Sequence, residues 1–318
     1  MDKIDRDIIR ALDKNARYSA TKISTMIGES KQRVAFRIRK MIERGILDLF
    51  SAIINKSKLG YFHCQIYLRF QREWSEQLVC DRLKKIPSLH WEGVALGDYH
   101  LVIFFLAGSL HECWQVYSQI IRRFSGGIIK KEIILTSKTH YLNHAYITHS
   151  REKESISEFP CQKTKIKQGH LNLINALKEH GRIQINALAK KVNATPYTVR
   201  QRIAYLERIG IITCFRIRIN HSALGFKHYM FLIDLGGIAD KRKEKLIESL
   251  IQKNEAIRIT ETIGKWDLIC DLVLQPGEKY VKAAREDLLA EGIHESCIQI
   301  LEIKKVLPIN TVVYRSLK

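Results

Sequence analysis

The chain has 318 residues, 46% of them hydrophobic, with 53 Lys and Arg against 33 Asp and Glu for a formal net charge of +20. Length and apolar content exclude a disordered chain and imply two or more domains, each with a core of its own. The charge calls for an anionic partner, and its concentration in two segments makes nucleic acid the expected one: residues 1–50 hold twelve Lys/Arg against seven Asp/Glu, and residues 163–212 ten against two.

Seven cysteines (Cys64, Cys80, Cys113, Cys161, Cys214, Cys270 and Cys297) are odd in number and form no C-x-x-C, as expected of reduced thiols in a cytosolic protein. The start MDKIDRD has no signal-peptide core, and no apolar run approaches the ~18 residues of a membrane helix. A soluble, cytoplasmic protein without a membrane segment is expected.

In chain order, residues 3–14 place Ile4, Ile8, Ile9 and Leu12 on one helical face, and residues 20–27 place Ile23 and Ile27 on another. Gly28 and Glu29 make a turn and Ser30 can cap a third helix, Lys31 to Arg44, with Val34, Ile38 and Met41 inward and Gly45 as its stop. Helix, tight turn and capped basic helix is the pattern of a helix-turn-helix, whose second helix enters the major groove.

The texture then becomes strand-like. Residues 61–70 alternate, with Phe62, Cys64, Ile66, Leu68 and Phe70 on one face and His63, Gln65, Tyr67 and Arg69 on the other, which predicts a half-buried strand. A helix is expected over 75–86, strands over 89–95 and 101–107, a helix over 110–124 and a last strand over 128–136. That order, βαββαβ, is ferredoxin-like. The stretch 148–169 is polar, contains Pro160 and lacks periodicity, as a linker would.

Beyond it the pattern returns. Ile185, Leu188, Ala189 and Val192 form a short apolar stripe; Asn193 and Ala194 turn. Thr195 can cap a helix with Pro196 at its first position, Val199, Ile203 and Leu206 as its stripe, and Gly210 as its stop. Strands are expected over 229–235, 257–263, 268–274 and 296–306, with helices over 241–253 and 278–291.

A shift of 165 positions superposes Arg17 on Arg182, Val34 on Val199, Arg37 on Arg202, Ile38 on Ile203, Gly45-Ile46 on Gly210-Ile211, Asn55 on Asn220, Leu59-Gly60 on Leu224-Gly225 and His63 on His228. This is an internal duplication. The expected fold class is α+β, a tandem repeat of a winged or helix-turn-helix domain followed by a βαββαβ ferredoxin-like domain. Its divisions are 1–52, 53–147, a linker at 148–166, 167–217 and 218–318.

A helix-turn-helix followed by a βαββαβ domain with a glycine-aromatic turn between its middle strands resembles the Lrp/AsnC family of transcription regulators, here through nearly the whole chain and twice. The residues that carry the resemblance are IDRDIIRAL near the start, ESKQRVAFRIRKMIERGIL and ATPYTVRQRIAYLERIGII at the recognition helices, and the turns Gly97-Asp98-Tyr99-His100 and Gly264-Lys265-Trp266-Asp267. The resemblance implies RAM (ferredoxin-like) domains that pair with another copy, and an amino-acid effector near the turns, at Gly97, Asp98, Tyr99, Gly264, Trp266 and Asp267. The first turn has His100 where an aspartate is usual.

The implied partners are double-stranded DNA and a second RAM domain, within the chain or in another copy. Candidate DNA-binding residues are Lys31, Gln32, Arg33, Phe36, Arg37, Arg39 and Lys40 in the first copy and Tyr197, Thr198, Arg200, Gln201 and Arg202 in the second. Arg can bridge guanine and Gln adenine, while Lys and Arg on phosphates supply affinity.

His140, His144 and His149, with His90, His100 and His111, lack a metal-ligand spacing, and no resident cofactor, metal or catalytic residue is expected. Two other readings compete. Siroheme decarboxylases resemble the same two-domain arrangement, sometimes fused, and Phe36 on the first recognition helix would suit an assembly or effector-binding protein.

Overall fold

The structure, a computed structural model, describes all residues except 73, 85, 87, 151–154, 159–160, 308–313 and 316–318. The first copy contains α1 (Lys3–Lys14), α2 (Ala20–Ile27), α3 (Lys31–Glu43), β1 (Leu47–Ile54), β2 (Phe62–Phe70), α4 (Glu76–Leu83), β3 (Leu89–Leu96), β4 (Leu101–Ala107), α5 (Leu110–Arg123) and β5 (Ile128–Leu142). A turn of helix α6 (Ala145–Thr148) and a short strand β6 (Ser155–Glu158) follow. The second copy contains α7 (Gln168–Glu179), α8 (Ile185–Lys191), α9 (Pro196–Arg208), β7 (Ile212–Ile219), β8 (Lys227–Ile233), α10 (Asp240–Gln252), β9 (Ala256–Ile263), β10 (Leu268–Leu274), α11 (Glu278–Ala290) and β11 (Ile298–Val306).

The two copies pair with each other inside one chain. Strands β5-β2-β4-β3 and β11-β8-β10-β9 form two antiparallel sheets, joined edge to edge by β3 with β11 and by β9 with β5, so the eight strands close on themselves. Closure removes the exposed edges that a lone ferredoxin-like sheet would present.

Alternation along each strand then feeds two cores. Ile66, Leu68, Ile103 and Phe105 face α4 and α5, as Phe231, Ile233, Cys270 and Leu272 do in the second copy. Tyr67, Val102, Phe104, Met230, Leu232 and Ile269 face the opposite sheet.

This corrects the expectation for β2. The face bearing Gln65 and Tyr67 looked polar enough for solvent, yet both residues are buried, because the second copy covers it. Tyr67 OH donates to Gln65 Oε1 at 2.7 Å and Gln65 Nε2 to Thr136 Oγ1 at 3.0 Å, so the polar groups are satisfied within the protein. Strand β5 also runs six residues past its expected end. Its first half pairs with β2 and its second half with β9 of the other copy, a long-range pairing that local composition does not encode.

Two further strands arise from pairing between copies. β1 and β7 follow the recognition helices and pair antiparallel, from Leu47 opposite Ile219 to Ile54 opposite Ile212, under one continuous core of both helix-turn-helix units. In the expected linker, β6 pairs with β5, Thr139 opposite Glu158. Pro160 lies outside the described residues.

Candidate nucleic-acid interface

Each recognition helix starts as its sequence requires. Ser30 Oγ accepts from Arg33 N–H, Thr195 Oγ1 accepts from Thr198 N–H, and Pro196 occupies the first turn, where its missing N–H is not needed. Val34, Ile38 and Met41 bury one face of α3; Val199, Ile203 and Leu206 bury the same face of α9. The opposite faces are exposed.

On α3 that face carries Lys31, Gln32, Arg33, Phe36, Arg39 and Lys40, with Arg37 half-buried. Three of its cations are partnered by acids. Arg33 meets Glu29 at 3.1 Å, Lys40 meets Glu43 at 2.9 Å, and Arg37 meets Asp2 at 2.8 Å and Asp5 at 3.3 Å. Asp2 is held below the usual carboxylate range, chiefly by the Asp5 N–H it accepts and then by Arg37. Lys31 and Arg39 meet no acid among the described residues.

On α9, Tyr197 is 70% exposed, Arg200 and Gln201 project into solvent, and Thr198 and Arg202 are half-buried. Among the described residues none of these cations has an acidic partner. Arg202, equivalent to Arg37, lies instead against Gly169, where an added Cβ would fall 2.9 Å from its Nη1. The 165-residue shift explains the difference: Asp2 and Asp5 become Lys167 and His170. Burial pushes the His170 imidazole below its usual range, and Arg202 and Lys167 add to that.

The two reading heads are fixed to one another by a pseudo-twofold set of contacts. Arg17 Nη1 donates to Gly181 O at 2.5 Å, and Arg182 Nη2 donates to Tyr18 O at 2.8 Å. Arg17 stacks over Phe215 at 5.2 Å and Arg182 over Phe50 at 5.1 Å. Asn55 N–H donates to Ile211 O, and Asn220 N–H to Ile46 O. The Arg17/Arg182 correspondence was visible at the 165-residue offset, but nothing in it said that each arginine reaches across to the other copy.

The two glycine-aromatic turns lie at the seams between sheets. Tyr99 and Trp266 are buried with Tyr67, ring centroids 4.9–5.7 Å apart. Gly97 and Gly264 have φ of +126° and +142°, and a Cβ at either would clash with the other copy, 2.7 Å from Ile300 O and 2.8 Å from Ile134 Cδ1 respectively. Asp98 is half exposed and meets Arg69 at 3.7 Å. Asp267 Oδ2 accepts from Leu235 N–H at 2.7 Å, and His100 Nδ1 accepts from Phe70 N–H at 3.2 Å in the matching place. The His-for-Asp difference therefore keeps the turn's hydrogen bond.

Of the clustered histidines, His144 Nδ1 bonds Asp13 at 2.6 Å, and His140 bonds Ser157 Oγ at 3.0 Å and lies 3.5 Å from Glu261. Among the described residues no three His, Cys, Asp or Glu side chains are arranged to hold a metal ion, and no helix is long and apolar enough to cross a membrane.

Residues 1–42 match the model of the AsnC-type helix-turn-helix domain, and residues 170–213 match a winged helix-turn-helix DNA-binding domain. The chain is similar to an uncharacterized HTH-type transcriptional regulator of Pyrococcus furiosus, 24% identical over 40% of this chain and 86% of that one. A counterpart from Pyrococcus abyssi is 27% identical over 43% and 87%. Such relatives span one copy of the repeat. Over 98% of its length the chain also shares the fold of the siroheme decarboxylase NirDL, with a TM-score of 0.65, 11% identity and 94% of that chain covered.

Proposed function

We propose, from the premise that this chain belongs to the Lrp/AsnC family of helix-turn-helix proteins, that it is a cytoplasmic, sequence-specific DNA-binding transcription regulator in which one chain does the work of a dimer. The observation that carries the reading is the pair of capped, basic, solvent-facing helices held on one body by β1, β7 and the Arg17 and Arg182 contacts. Lys31, Arg39 and Lys40 of the first copy and Arg202 of the second serve as phosphate contacts. Gln32, Arg33, Tyr197, Thr198, Arg200 and Gln201 read base edges in this proposal, and Arg37 holds α1 to α3. An amino-acid effector at the Gly97-Asp98-Tyr99 and Gly264-Lys265-Trp266-Asp267 turns would act on the seam that those residues build.

Because the two reading helices differ in sequence and are joined covalently, the preferred site is expected to have unlike half-sites. Selection from random duplex DNA with the full chain checks this. A non-palindromic consensus, bound with a steep salt dependence, supports the reading, and a symmetric one overturns the one-chain dimer.

The whole-chain likeness to NirDL is one of fold, and it favours a second reading as a tetrapyrrole decarboxylase. Siroheme titrated into the purified chain decides: a Soret shift with release of carbon dioxide would replace the regulator reading.

A further inference from the structure

A pocket of about 230 Å³ opens where the end of the first helix-turn-helix unit, strand β5, Glu158 of β6 and Cys161 meet; its wall includes Lys56, Ser57, His63, Thr136, Ser137 and Thr139. The Lys56 ammonium is almost fully buried. Glu158 holds it at 2.9 Å, accepts the Lys56 backbone N–H at 2.7 Å, and is also bonded by Tyr141 OH at 3.2 Å. Burial alone would lower the Lys56 pKa, but Glu158 outweighs it and raises it, so the lysine is a cation.

The second copy shows what is unusual here. Lys56 and His63 correspond to His221 and His228, and because Leu135 lies opposite Cys64 as Glu302 lies opposite Tyr229, Thr136, Ser137 and Thr139 correspond to Ile303, Lys304 and Val306. In that copy the imidazoles are closed by protein partners, His228 by Asp271 at 2.7 Å and His221 by Tyr146 at 2.5 Å. In the first copy Phe104 stands where Asp271 would be, its ring 5.3 Å from that of His63, and His63 Nε2 has no hydrogen-bond partner among the described residues. A position satisfied in one copy is thus unsatisfied in the other, beside a buried cation and several hydroxyls. Buried polar groups are ordinarily paired.

We propose that this pocket binds a small organic carboxylate, which shares or takes over the Lys56 ammonium now held by Glu158 and is fixed by the surrounding hydroxyls. The wall supplies a buried ammonium, the hydroxyls of Ser57, Thr136, Ser137 and Thr139 and the imidazole of His63 beside the acid Glu158, a donor set suited to an anion. Its volume suits a compact molecule rather than a macrocycle. The wall is also wired to the DNA-reading helix of the other copy: Lys58, next to Ser57, donates from Nζ to Ile209 O, the C-cap residue of α9, at 2.5 Å. This regulatory consequence rests on the regulator reading; the site itself does not.

Calorimetry on the full chain with 2-oxoisovalerate and with benzoate, and inorganic phosphate as the general-anion arm, tests the site. At least one carboxylate should bind saturably, with affinity about tenfold weaker in Thr139→Val and in Lys56→Met. Glu158→Gln, which frees the ammonium, should bind about tenfold tighter and show a larger carboxylate-induced rise in Tm, a gain that misfolding cannot mimic. No binding by either carboxylate, unchanged affinity in all three variants, or equal competition by phosphate overturns the proposal. Fluorescence anisotropy on selected DNA separates the claims. Carboxylate binding by a chain that does not bind DNA removes the regulator reading alone, DNA binding without carboxylate binding removes the site alone, and DNA affinity unchanged at saturating carboxylate removes the coupling.

Discussion

The two halves of this chain share every major element and differ in how their charges are partnered. In the first half the reading helix is laced to acids: Glu29, Glu43, and Asp2 with Asp5. In the second, Lys167 and His170 stand where Asp2 and Asp5 stood, and the arginines of α9 have no acid among the described residues. The ferredoxin-like domains differ too. Glu92 of β3 is buried with neither carboxylate oxygen bonded among the described residues, at the position that Ile259 fills in β9. Duplication thus permits one copy to carry a charge that a symmetric dimer would have to carry twice.

Glu92 offers the largest expected effect. Burial alone pushes its carboxyl up to about 7 from an ordinary 4.5. A raised folded-state pKa means that the native chain keeps a proton the unfolded chain releases. The stability this proton confers is full below pH ~4.5, erodes as pH rises toward 7, and is gone above it. At ~1.4 kcal/mol per pKa unit, Glu92→Gln should stabilise the protein at pH 8 by about 3 kcal/mol and flatten the fall between pH 5 and 7. Urea melts across that range check it; an unchanged pH profile would show that Glu92 is solvated after all.

Next come the arginines that join the halves. Each gives a charged hydrogen bond to a carbonyl of the other copy, so Arg17→Ala and Arg182→Ala should each cost about 1.5–3 kcal/mol. Their joint removal should unlock the two reading heads. The check is a double-mutant melt together with DNA binding at altered half-site spacing. A chain whose spacing preference survives the double substitution does not rely on this clasp.

Arg200 and Arg33 sharpen the contrast between the reading helices. Arg200→Ala should weaken binding to the selected site by about 1–3 kcal/mol and relax one half-site. Arg33→Ala should cost less, because Glu29 must first be given up when Arg33 meets DNA. Equal losses measured by anisotropy would mean that the Glu29 pair does not hold in the complex.

Much of this was legible in the chain itself. Capping residues, apolar stripes and the glycine stops located α3 and α9 to within a residue, because those signals are local. The βαββαβ order was equally plain. What stayed hidden was pairing at long range: β1 with β7, the second half of β5 with β9, and β6 in a stretch that read as linker. The polar face of β2 misled for the same reason, since only the partner sheet makes Gln65 and Tyr67 interior. The basic faces of the reading helices could be listed from sequence, but not that Arg37 was already neutralised, because Asp2 and Asp5 reach it only through the fold.

The smallest effect tests the comparison most directly, by exchanging its terms. Asp2→Asn with Asp5→Asn keeps the shape of α1, and asparagine caps a helix as well as aspartate does, so the fold should survive. Arg37 is then free to meet a phosphate. One added contact should steepen the salt dependence by about 0.9 in log–log slope and raise affinity by no more than about 1 kcal/mol, since the site is partly exposed. His170→Asp does the reverse, placing an acid beside Arg202, and should lower the slope by a similar amount. If both substitutions leave the slope unchanged, neither Arg37 nor Arg202 touches the backbone, and the contrast between the two reading helices rests on Arg33 against Arg200.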